Sequence, residues 1–203
     1  MKILENLVDK RAEYSIANIV KVLFLISKEP LGRFELMGKL GLTEAPVKTM
    51  LKNLAKNKLI KSTIEGAVLD YKGKGLFTRI TKVIPKSPIE IDAQNYTDYG
   101  LYKKLYKNRL DLAILVRNVS HKIRDGVEQH DIAVKTGAVG ATTLVQKNNK
   151  IVFPSTWYEI KSEFNNYLKV HFDIKNNDAI IICFGPSYHK VEEAALTTAL
   201  SLI

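Results

Sequence analysis

At 203 residues the chain holds one large domain or two small ones, with enough material for a core in either case. It is 46% hydrophobic and 26% charged, with no repeat or low-complexity tract, which sets aside fibrous and disordered classes. The net charge of +10 and a pI near 9.5 invite a polyanionic partner.

The distribution of that charge is more telling than its sum. Residues 1–82 carry 16 Lys and Arg against 8 Asp and Glu, a balance of +8, whereas residues 83–203 carry 15 against 13, a balance of +2. The one cysteine, Cys183, lies in the apolar run Ala179-Ile180-Ile181-Ile182-Cys183-Phe184 and reads as a small buried strand residue. An intrachain disulfide framework is excluded, and a reduced, cytoplasmic setting is expected. Met1-Lys2-Ile3-Leu4-Glu5-Asn6 meets charge before an apolar run develops, so no signal peptide is expected. The longest apolar stretch, 16–26, contains Asn18 and Lys21 and is too short for a bilayer.

In chain order, residues 1–14 read as a short helical arm with Ile3, Leu4, Leu7 and Val8 on one side. A core helix is predicted over 15–27 from Ile16, Ile19, Val20, Leu23, Phe24 and Ile26. A short helix over 31–40 follows, closed by Gly41-Leu42, where glycine permits a tight turn. Thr43 is placed to cap the next helix, 43–57, through its hydroxyl, and Pro46 falls in its first turn, where its missing N–H costs no intrahelical bond. Val47, Met50, Leu51 and Leu54 share one face of that helix and must turn inward. Lys48, Lys52 and Lys56 form an i, i+4, i+8 row on the other face, with Thr49 and Asn53 beside them. Residues 58–64 read as a strand, Glu65-Gly66 as a turn and Ala67-Val68-Leu69 as the return, a short wing with Lys61 as its nearby basic group. Gly73 and Gly75 weaken the helix that follows. The pattern over 31–77 is that of a winged helix-turn-helix, whose second helix other proteins of that type place in the major groove of DNA.

Two prolines, Pro85 and Pro88, mark a short linker over 83–88. Beyond it, 89–91 and 112–116 read as strands and 126–134 as a helix. Residues 140–146 and 150–153 flank Lys147-Asn148-Asn149 as a hairpin. A helix is predicted over 157–172, with Trp157 and Tyr158 as core anchors, then a buried strand over 179–184 and a closing helix over 188–202. The fold class expected is α+β: a winged helix-turn-helix domain over 1–82, then a two-layer α+β domain over 89–203 whose mixed sheet carries helices on one face.

Polar chemistry concentrates in Arg124-Asp125-Gly126-Val127-Glu128-Gln129-His130-Asp131 and runs on to Lys135, Thr142 and Thr143. Glu128, Asp131 and Lys135 share a helical face with Arg124 at its start. That is the makings of a pocket holding a small ligand through charge-assisted bonds, and a capped, salt-bridged surface helix accounts for the same residues. No nucleophile is marked, so no catalytic residue is assigned. Gly137 and Gly140 lack the order and context of a phosphate-binding fingerprint and read as helix-end and strand-entry glycines. Ser187 before the last helix reads as an N-cap. His121, His130, His171 and His189 are scattered, so neither metal nor cofactor is expected.

The helix-turn-helix segment, together with Ile123-Arg124-Asp125-Gly126-Val127-Glu128-Gln129-His130-Asp131 and Gly140-Ala141-Thr142-Thr143-Leu144-Val145, resembles an uncharacterised archaeal family with an N-terminal winged helix and a C-terminal domain of unknown function. The resemblance covers nearly the whole chain. His130 stands where the family pattern has arginine. The resemblance implies a GAD-like α+β fold for the second half, similar to the module inserted in bacterial aspartyl-tRNA synthetases, and implies no particular activity.

Three readings follow. In the first the protein is a dimeric transcriptional regulator binding double-stranded DNA through Lys48, Thr49, Lys52, Asn53, Lys56 and Lys61. Its second domain would sense a small-molecule effector through Arg124, Asp125, Glu128, Asp131, Lys135, Thr142 and Thr143, or join subunits. In the second it is a metabolite-binding protein or enzyme using residues 117–143, with the winged helix serving protein contacts. RNA association is a third, and the second half lacks the basic surface interleaved with aromatic residues that would favour it.

Overall fold

A computed structural model of the chain describes residues 4, 6–8, 12–93, 109–154, 156 and 158–203. The chain divides into two compact units, Met1–Lys82 and Val83–Ile203. Half of the predicted N-terminal arm, with Ile3 among its apolar positions, lies outside the described residues, as does Trp157. Among the described residues no helix is long and apolar enough to cross a membrane.

The first unit is built on α1 (Ile16–Ile26), α2 (Arg33–Leu40) and α3 (Glu44–Lys56), followed by the hairpin β1 (Ile60–Ser62) and β2 (Ala67–Leu69) and by α4 (Tyr71–Val83). Ser15 starts α1 with a reciprocal capping box: its Oγ accepts from Asn18 N–H, and Asn18 Oδ1 accepts from Ser15 N–H at 2.8 Å. The two polar residues in this apolar helix are thereby explained. Asn18 closes the cap, and the buried Lys21 ammonium donates to Lys39 O, a carbonyl in the last turn of α2 where a cation opposes the helix dipole. Gly41 takes the left-handed conformation (φ 66°) that ends α2, as its position in the turn requires. Thr43 flanks α3 without a side-chain cap bond, so the expected hydroxyl cap is not made.

The hairpin pairs Ile60 with Leu69 and Ser62 with Ala67, and Leu31 bridges to Ala67 beside it. Gly66 (φ 138°) is required there, because a Cβ would lie 2.4 Å from the Leu31 carbonyl carbon. Gly73 and Gly75 prove to be different cases. A Cβ on Gly73 would meet Leu59 O at 1.8 Å, whereas nothing lies within 4 Å of one on Gly75. Gly73 is how α4 packs onto the chain that follows α3.

The second unit is a five-stranded sheet in the order β3-β4-β7-β5-β6, formed by β3 (Ile89–Glu90), β4 (Leu110–Val116), β5 (Gly140–Lys147), β6 (Lys150–Val152) and β7 (Ala179–Gly185). Its helices are α5 (Val127–Thr136), α6 (Ser162–His171) and α7 (Tyr188–Ser201), with a 3₁₀ turn over Ser120–Lys122. Every neighbouring pair is antiparallel, which corrects the expected mixed sheet. β4 and β5 do run parallel across the α5 crossover. The last strand, β7, inserts between them, so no two parallel strands touch.

Nor is the unit two-layered. Leu112, Ile114 and Val116 of β4 share a face with Ile181 and Cys183 of β7 and Thr143 of β5, on the side where α5 and α7 pack. Ala113, Leu115, Leu144, Ile180 and Ile182 point the other way, into a core completed by Phe164 and Leu168 of α6. With helices on both faces β7 is buried along its whole length, and its sequence is accordingly apolar without alternation. Lys147-Asn148-Asn149-Lys150 makes a two-residue hairpin turn in which Asn148 (φ 50°) and Asn149 (φ 63°) are both left-handed, the geometry that matches strand twist. The helix predicted over 157–172 starts later, at Ser162, because 158–160 pair with β6 instead: Phe153 N–H donates to Tyr158 O and Ile160 N–H to Ile151 O. Tyr158 is exposed there rather than anchoring the core.

The two glycines make a paired prediction. Gly73→Ala is expected to destabilise the protein by about 3 kcal/mol or more, since backbone must move to admit the methyl group. Gly75→Ala, in an open helical position, is expected to stabilise it by roughly 0.5–1 kcal/mol. Denaturant unfolding of both variants checks the contrast, and equal effects would refute the packing account of Gly73.

Candidate functional sites

On α3, Val47, Met50 and Leu54 are fully buried and Leu51 is half-buried, which turns the opposite face outward. Lys48, Thr49, Lys52 and Lys56 are all exposed there, and none of the three lysines has an ion-pair partner among the described residues. Glu44, at the start of the helix, is held by Arg33 of α2 at 3.1 Å, and the same guanidinium lies 5.1 Å from the exposed Phe34 ring. Asn53 does not join this row. It is half-buried, and its Nδ2 donates to Tyr14 Oη at 2.8 Å, whose hydroxyl in turn donates to Leu7 O at 2.9 Å. Asn53 thus ties α3 to the segment before α1 and is unavailable as a base reader in this arrangement. Lys61 is exposed on β1, and Ile64 stands fully exposed in the hairpin turn.

A groove of about 410 Å³ lies in the same unit, lined by Asn57, Leu59, Tyr71, Lys72, Gly75, Leu76 and Arg79. Its cations escaped the sequence reading, although Lys72 and Arg79 stand seven residues apart on α4, the spacing that puts two side chains on one helical face.

In the second unit Lys122, Arg124, Asp125, Val127, Glu128, Gln129, Asp131, Ile132 and Lys135 line a polar groove of about 530 Å³. Gly126 (φ 84°) reverses the chain into α5, and Asp125 begins the helix by accepting from Val127 N–H at 3.0 Å. That backbone bond holds the Asp125 carboxyl below its ordinary range, helped by Arg124, whose Nε donates to it at 3.1 Å. Lys122 Nζ donates to Leu202 O at 2.6 Å.

The structure therefore brings together Arg124, Asp125, Glu128, Asp131 and Lys135, and separates Thr142 and Thr143 from them. Thr142 points to the α6 side of the sheet. Thr143 is buried under Gly126 with its hydroxyl unpartnered, and neither threonine lines the groove. The strand alternation that divides them was readable, but which face met α5 was not. Gln129 belongs to the polar run in the sequence but is not among the ligand positions expected there. It is 1% exposed, lines the groove, and its Nε2 has no hydrogen-bond partner.

Elsewhere the polar residues are structural. Arg109 and Asp111 form a buried pair at 2.7 Å, with the guanidinium 3.9 Å from the Phe184 ring centre; burial pushes the Asp111 carboxyl up and Arg109 pulls it back. Asp178 gathers Arg117, Asn118 N–H and Lys175 N–H where β4 ends and β7 begins. His130 Nδ1 sits 3.2 Å from Ala141 O. Ser187 makes no side-chain cap bond to α7. Among the described residues no three His, Cys, Asp or Glu side chains converge as metal ligands.

Cys183 is fully buried, and burial pushes its thiol up to about 12. A raised thiol pKa leaves the neutral form dominant at all physiological pH, so the residue is inert rather than nucleophilic. A chromogenic disulfide reagent is expected to leave Cys183 unlabelled in the native protein and to label it once guanidinium unfolds the chain. Fast native labelling would overturn this.

Comparison with known proteins locates these two units. Residues 15–75 match the family model "PH0730-like, N-terminal domain", and residues 107–202 match a domain of unknown function, DUF4443. No curated protein matches the chain. Among solved structures it is similar to the hypothetical protein PH0730 from Pyrococcus horikoshii OT3, with a TM-score of 0.76 and 30% sequence identity over 94% of this chain and 93% of that one. At that identity over nearly the full length of both chains, the protein belongs to the family of the Pyrococcus horikoshii protein PH0730.

Proposed function

We propose that the first unit is a winged helix-turn-helix that binds double-stranded DNA, and that the protein is a cytoplasmic, homodimeric transcriptional regulator whose second unit serves sensing or dimerisation. The observation that carries this reading is the row Lys48, Lys52 and Lys56, exposed on the outer face of α3 without ion-pair partners among the described residues. Four residues rise about 6 Å along a helix, so the row lays three ammonium groups along roughly 12 Å of cationic edge. A solvated helix face gains from interleaved acids, and here none lies within the row. Phosphate oxygens of a duplex offer what the protein does not, with release of counterions on contact.

In this docking the three lysines neutralise backbone phosphates, Thr49 faces base edges in the major groove, and Lys61 on β1 reaches the flanking backbone. Asn53 contributes by fixing α3 through Tyr14 rather than by touching a base. The balance of +8 over residues 1–82 against +2 over the remainder agrees with placing the duplex on the first unit.

Lys52→Ala is expected to weaken binding evenly across duplex sequences and to flatten the plot of log affinity against log salt by about one unit. Fluorescence anisotropy on labelled duplexes over a salt series measures both. A slope identical to that of the unchanged protein would refute the docking.

A further inference from the structure

Beyond duplex binding, we propose that the groove beside α4 in the first unit docks a short acidic segment of a partner protein. That segment lays a large apolar side chain over Gly75, between two carboxylates that reach Lys72 and Arg79.

The groove follows from two glycines on one helix. Gly73 has no Cβ to hold α4 away from the Leu59 carbonyl, so the helix closes onto the chain between α3 and β1. Gly75 then leaves the crevice unfilled, since nothing lies within 4 Å of the Cβ it lacks. The end of α3, Leu59 and one face of α4 line the result. Leu59 and Leu76, both buried, and Tyr71, 63% exposed, make that lining largely apolar.

Its charge is of one sign. Lys72 and Arg79 are exposed and have no ion-pair partner among the described residues. No acidic residue lines the groove, and none occurs anywhere from Tyr71 to Ile89. Asp70, just before α4, is engaged already, its carboxylate accepting from Tyr71 N–H at 2.7 Å. Seven residues of helix rise about 10 Å, so the two cations stand at opposite ends of an apolar stripe that Gly75 leaves bare.

That pattern separates the occupants. A duplex backbone brings anions but nothing apolar to cover Tyr71 and the two leucines. A second copy meeting this face with its own α4 sets cation against cation. A small carboxylate reaches one end of the stripe and leaves the other unpaired. A protein segment with an acid on each side of an aromatic or leucine side chain matches the stripe from end to end. The missing Cβ at Gly75 lets that side chain lie against helix backbone.

The test pans the full-length, DNA-free protein against a displayed library of random linear peptides, then measures the enriched peptides by fluorescence anisotropy. Enriched sequences are expected to share an aromatic or leucine residue with an acid on each side. Arg79→Glu, and Gly75→Leu, which fills the groove, are each expected to weaken binding at least about tenfold. Gly75→Leu is expected to keep the unfolding midpoint at or above the wild-type value, because the position is open and leucine favours helix. Should it misfold, Arg79→Glu, at an exposed position, carries the test alone. Lys52→Ala is expected to bind peptide normally, so failure of DNA recognition and failure of this site register separately. Lack of enrichment, enriched sequences without acids, or wild-type affinity in either folded variant would overturn the proposal. So would sedimentation showing a dimer that Gly75→Leu splits, since the groove would then belong to a second copy.

Discussion

The first unit depends on one constraint: α3 has to hold three like charges on one face by burying the other. Two i, i+4 pairs of lysines disfavour an isolated helix by roughly 0.5–1 kcal/mol in all. Burying Val47, Met50 and Leu54 returns about 1.5–3 kcal/mol each. Packing wins by a wide margin, and the cationic face is therefore carried by the fold rather than balanced by it. The surrounding details serve the same end. Gly41 ends α2 so that α3 can begin at once, Asn53 fastens the helix to Tyr14, and Gly73 lets α4 approach the Leu59 carbonyl. Each fixes the orientation of a surface whose charges are left unpaired within the described residues.

The second unit depends on β7 in a comparable way. A strand apolar at every position is stable only if both of its faces are covered and both of its edges paired. Here β4 and β5 take the edges, α5 and α7 lie on one face, and the core around Phe164 and Leu168 covers the other. Because β7 arrives last and enters between strands already joined by a crossover, the sheet is antiparallel although its first crossover runs between parallel strands. Charged groups admitted to this interior are held by their neighbours, as with Asp178 and with the Arg109–Asp111 pair, whereas Gln129, Thr143, Gln146, Asn165 and Thr198 each keep a buried atom without a hydrogen-bond partner among the described residues.

How far the sequence discloses this architecture follows from the range of each interaction. The burial of Val47, Met50 and Leu54, the left-handed Gly41, the Asn148-Asn149 turn and the buried β7 run are all local patterns, and they were legible. The capping of α3 was misjudged because a threonine before a helix offers a bond that the structure need not take. Asn53 was misassigned because its partner, Tyr14, is 39 residues away and nothing in the helical pattern announces it. The mixed sheet failed for the same reason on a larger scale: strand order is set by long-range pairing, and spacing along the chain does not contain it. The position of α6 turned on a local competition, in which 158–160 gained more by pairing with β6 than by extending the helix.

The candidate ligand site was half legible, and the missing half is the more informative one. Charged residues at i, i+3 and i+7 mark a helical face, but they mark a solvated face and a binding face equally well. Buried polar atoms do not separate the two either, since an atom that water cannot reach is closed to a ligand oxygen of the same size. Thr143 and Gln129 both have such an atom, and they differ in where it lies. The Thr143 hydroxyl is roofed by Gly126, away from the groove, so its unmet bond is an internal defect of a strand that must present some side chain there. Gln129 is among the residues that line the groove, but its amide nitrogen is closed off from solvent and lies within the wall rather than open to it. Its unmet donor is, like the Thr143 hydroxyl, a cost that the packing of the surrounding interior carries.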